Sequence, residues 1–194
     1  MSEILCTAFE GSRRIASGEL AGVAAKVKQV IDAGAQEPVL IFDDATSAVI
    51  EVDFRGTAAD VAGRLAERPA RPAAEPEPET QRRPGRPKLG VVAREVTLLP
   101  RHWEWLNGQP GGASVALRKL VEEARKANEG TDRVRRAREA AYRFMSAMAG
   151  NEPGFEEAAR ALFRGNREAF EAQVEAWPLD VREHAKKLAS VSFE

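Results

Sequence analysis

The first residues in this chain able to do chemistry are cationic. Arg82-Arg83-Pro84-Gly85-Arg86-Pro87-Lys88 holds four basic side chains in seven residues and no acidic one. Such a run attracts a polyanion. The narrow minor groove of an A·T tract concentrates negative potential and draws in arginine. Proline keeps the segment extended, and glycine lets its backbone come close. The plainer reading is a basic linker end that only keeps the chain solvated. A second candidate is Arg94-Glu95-Val96-Thr97-Leu98-Leu99-Pro100, followed after a Gly-rich turn by Gly112-Ala113-Ser114. Here Thr97 suits a base edge, and a helix opening near Ser114 points free N–H groups at a phosphate. A third is the row Arg133, Arg135, Arg136 and Arg138, with Arg143 beyond. Pairing with Glu129, Asp132 and Glu139 on a solvated helix face is the favoured reading of that row.

Catalytic signals are poor, and the chain reads as a non-enzyme. Asp43-Asp44 is an acidic pair in a turn, and Cys6 sits in an apolar strand with no histidine near it in sequence. His102 and His184 read as structural or exposed. Two histidines and one cysteine make a dedicated zinc site improbable, and no cofactor is expected. None of the phosphate-loop, nucleophile-elbow, metalloprotease or dinucleotide patterns occurs.

The 194 residues carry 29 Lys+Arg against 30 Asp+Glu, a net charge of −1. That average hides a pattern. Residues 1–81 are net −6, residues 82–149 net +8 and residues 150–194 net −3. Charge asymmetry of this kind suggests a polyanion-binding part between parts with other jobs. A 43% hydrophobic content supports a core. With no apolar run of 18 residues, no basic leader and a single cysteine, a cytoplasmic protein without membrane contact is expected.

The elements that must carry these residues follow from periodicity. Residues 3–9 and 13–17 predict two strands around the turn Glu10-Gly11-Ser12. Leu20, Val23, Val27, Val30 and Ile31 predict a helix. Pro38 to Phe42 predicts a buried strand, and Val49, Ile50, Val52 and Phe54 a further one. Thr57 is positioned to cap a helix carrying Val61 and Leu65. The fold class is therefore α+β, with a ββαββα domain over 1–67. Six of the eleven prolines fall in 68–88, so 68–90 is read as a linker. Residues 91–128 predict strand, helix and helix, with Pro100 in a first turn and Leu117, Leu120, Val121 and Ala124 on one stripe. Alternation puts Val96 and Leu98 on the core face and Glu95, Thr97 and Leu99 outward. Residues 129–194 predict a mostly helical domain: one helix over 131–149, then three short ones over 155–163, 167–176 and 179–188.

Three resemblances follow from these residues. Gly85-Arg86-Pro87 resembles an AT-hook, with Pro84 where the full motif has arginine. Strand, helix, turn and helix over 91–128 resemble the ribbon-helix-helix DNA-binding proteins. There the strand pairs with its copy in a second subunit, which implies a homodimer, the ribbon in the major groove and the Ser114 helix start on phosphate. The strings Arg94 to Leu106, Gln109 to Ser114, Phe144 to Gly150 and Trp177 to Asp180 are similar to those of a bacterial family numbered 2239 in the domain-of-unknown-function series. That likeness spans nearly the whole chain and brings no catalytic residues with it. Together these imply a DNA-associated homodimer, with A·T-rich DNA as the first candidate partner and a ligand or protein for the acidic N-terminal part. An interaction adaptor, antitoxin-like and without DNA, is the alternative.

Overall fold

A computed structural model describes residues 4–67 and 94–194. The chain divides into two units. One combines residues 1–70 with 131–194, and the other covers 71–130.

The first unit is built on a hairpin of β1 (Leu5–Glu10) and β2 (Arg13–Glu19). Its turn needs Gly11, which sits at φ +52°, and a Cβ there would overlap the Glu37 carboxylate. Helix α1 (Leu20–Asp32) leads to β3 (Val39–Asp43), which pairs antiparallel with β1. The sheet order is β2-β1-β3, with a bulge between Ala8 and Phe9. Helix α2 (Ala58–Glu67) follows. Thr57 and Asp60 cap it reciprocally, since Thr57 N donates to Asp60 Oδ2 (2.8 Å) and Asp60 N to Thr57 Oγ1 (3.3 Å).

The expected strand over Val49–Phe54 is not formed. Val49 makes one isolated bridge to Phe42, and Ile50 N donates to Ile41 O. Beyond that, Arg64 of α2 takes the carbonyls of Asp53 and Arg55, which a neighbouring strand would otherwise need. Ile50, Val52 and Phe54 still pack against the α1 side of the sheet. The N-terminal order is thus ββαβα rather than ββαββα.

Both faces of the sheet are covered because successive strand residues point oppositely. Cys6, Ala8 and Ile41 join Val23 and Val27 of α1. Phe9 and Phe42 point the other way and enter a core made by the chain's second half: α5 (Glu129–Met148), α6 (Phe155–Arg164), α7 (Arg167–Val174), α8 (Leu179–Ala189) and a closing 3₁₀ turn (Ser190–Phe193). Phe144 of α5 lies 5.4 Å from the Phe9 ring and 5.2 Å from the Phe42 ring. Trp177 is buried and donates its indole N–H to Pro153 O at 2.9 Å. Residues 1–67 and 129–194, separable in the sequence, therefore share one core. Aromatic residues on the sheet have no helical cover of their own and obtain it from α5 and α8.

In the second unit, α3 (Pro100–Asn107) and α4 (Gly112–Ala127) form a helical hairpin. Pro100 starts α3 as expected, and α4 begins two residues earlier than Ser114. Residues 94–99 carry no strand within this chain. Val96, expected on the core face, is 52% exposed.

Candidate functional site

The residues singled out in the sequence fall in three places. Arg82, Arg83, Gly85, Arg86, Pro87 and Lys88 lie outside the described residues. Arg94 and Thr97 stand in the exposed segment that enters α3. Gly112 and Ser114 form the first turn of α4. There Gly111, at φ +85°, supplies the cap position with no side-chain acceptor, and a Cβ on it would crowd Val115 at 3.2 Å. Neither cap nor first turn carries an acidic residue. Arg118, one turn on, donates Nε–H to Ser114 O at 3.0 Å, and its guanidinium lies 3.4 Å from Ser114 Oγ. The hairpin thus sets a guanidinium beside the positive end of a helix dipole, an arrangement that favours an anion electrostatically.

The arginine row of α5 is spent on its own chain. Arg133 pairs with Glu194, while Arg135 pairs with Asp132 at 3.0 Å and Glu139 at 3.4 Å. Arg136 donates to Asp132 O, Arg138 to Ser192 O and Arg143 to Thr46 O. The favoured reading of this row, charge satisfied on a helix face, agrees with those bonds.

A further cluster, not signalled by any local motif, sits on the sheet face toward α5 and α8. Thr7 is fully buried on β1, cross-strand from Ser17. Its Oγ1 lies 2.7 Å from Asp44 Oδ1 and 3.0 Å from Ser17 Oγ. A carboxylate only accepts, so Thr7 spends its single proton on Asp44 and Ser17 donates in turn. Lys187 of α8 reaches the other Asp44 oxygen at 3.3 Å. Asp43 holds the turn by accepting from Ala45 N, Thr46 N and Thr46 Oγ1. Ser47 follows in the left-handed region, at φ +52°, fully buried with its hydroxyl unpartnered. Asp43-Asp44 is thus a structural hinge between sheet and helices. The available signal was an Asx-type turn directly after an apolar strand.

His184 lies against this cluster, buried rather than exposed. Its ring is 4.6 Å from Phe144 and 5.4 Å from Phe9, and neither nitrogen has a partner. Burial holds the imidazole down to about 4; the Asp44 carboxylate raises it, and Lys187 and Arg14 oppose that. Burial, with Asp44 and Asp43 adding to it, pushes the Cys6 thiol up to about 11, so it is a core residue and a poor nucleophile. Among the described residues no group of three or more His, Cys, Asp or Glu side chains is placed to hold a metal ion. Nor is any helix among them long and apolar enough to cross a membrane.

A family profile described as "Uncharacterized protein conserved in bacteria (DUF2239)" matches residues 5–189. The chain belongs to this family. The matched range takes in β1 through α8, so the DUF2239 profile spans the shared core and the α3–α4 hairpin alike. No curated protein and no solved structure matches the chain.

Proposed function

We propose that this DUF2239 protein acts by binding rather than catalysis, as a DNA-associated homodimer of regulatory type. In this reading the Arg82–Lys88 segment enters the minor groove of A·T-rich DNA. Thr97 and the Gly112–Ser114 helix start approach the same duplex, and the sheet unit binds a ligand or protein. The observation that carries it is the distribution of positive charge. The α5 arginines bond to their own chain, and the 82–88 run supplies +4 of the net +8 of residues 82–149 with no acidic residue in its own sequence. Arginine and lysine that contact phosphate gain affinity by releasing its condensed counterions.

Gel-shift titration of full-length protein on A·T-rich and random duplexes, across a salt series, tests it. The expected result is binding that weakens with salt, with Arg86→Ala lowering the log–log salt slope by about one. Absence of a shift at low salt overturns it. A second reading, a protein-interaction adaptor without DNA, is favoured by the hairpin itself. Residues 94–130 carry six basic and five acidic side chains, a near balance, and leave Trp105, Leu120 and Val121 exposed.

A further inference from the structure

We draw no further inference here: the strongest candidate, the polar cluster of Thr7, Ser17, Asp44 and Lys187 beside the buried His184 ring where the sheet meets α8, belongs to the site already described, where its hydroxyls, carboxylate and ammonium group satisfy one another.

Discussion

The sheet unit and the α3–α4 hairpin solve opposite problems with similar raw material. In the sheet unit, three short strands bury both faces. One face packs on α1, and the other on helices from the far end of the chain. In the hairpin, a 16-residue amphipathic helix keeps most of its apolar stripe uncovered. Hydrophobic residues at helical spacing therefore mean core in one unit and available surface in the other. In the first, strands and helices of the same unit cover them. A β-hairpin alone is marginal in water, and the Phe9–Phe42–Phe144 contact is what makes this one part of a stable body.

Four substitutions break or sharpen this contrast, in descending order of effect. Phe144→Ala removes a fully buried ring that touches Phe9, Phe42 and His184 and is expected to cost about 3–5 kcal/mol. Chemical denaturation should then show sheet and helices losing structure together. An intact α5–α8 transition would break the claim of a shared core.

The next effect is a pH dependence. The His184 value is held near 4 in the folded protein against an ordinary 6.5, so below 6.5 the unfolded chain takes up a proton that the folded one refuses. Stability from this residue is intact above about pH 6.5 and falls as pH drops toward 4, by about 3 kcal/mol over the full window. His184→Leu should flatten that part of the urea-midpoint profile, and an identical profile in the variant would show that the ring is not buried neutral.

Thr57→Ala removes one half of the α2 cap and is expected to cost about 1 kcal/mol, read from the same midpoint. Least of all, Arg135→Ala on the exposed α5 face should change stability by less than about 0.5 kcal/mol. Both of its ion pairs are solvated. A larger loss would mean the α5 arginines do more than satisfy surface charge.

Much of the fold was legible in local pattern. Period-3.6 spacing located α1 and α4 through α8 to within a few residues, and Thr57 marked the start of α2. What periodicity cannot carry is partnership. Val49 to Phe54 has the composition of a strand, yet among the described residues it pairs with β3 only through the Phe42–Val49 bridge and the Ile50 N–H to Ile41 O bond, and Arg64 takes the Asp53 carbonyl near its end. The pairing of Phe9 with Phe144 spans 135 positions, and nothing local in a Pro-rich boundary at 68–88 announces that the chain returns across it. Of the candidate site, the α4 start was readable from its glycines and Ser114. The Thr7–Ser17–Asp44–Lys187 chain was not, because its members come from three elements and the turn after β3, and only the register of β1 on β2 aligns the first two.

Residues 1–67 and 131–194 share one core and are expected to unfold as one cooperative body, apart from the hairpin. Native-state hydrogen exchange on the full chain measures this directly. The amides of β1, β3, α5 and α8 are expected to open with one common free energy at the global limit, while those of α3 and α4 exchange through a separate, lower-energy opening. Exchange of β1 and β3 through an opening distinct from that of α5 and α8, with the hairpin sharing the global value, would contradict it.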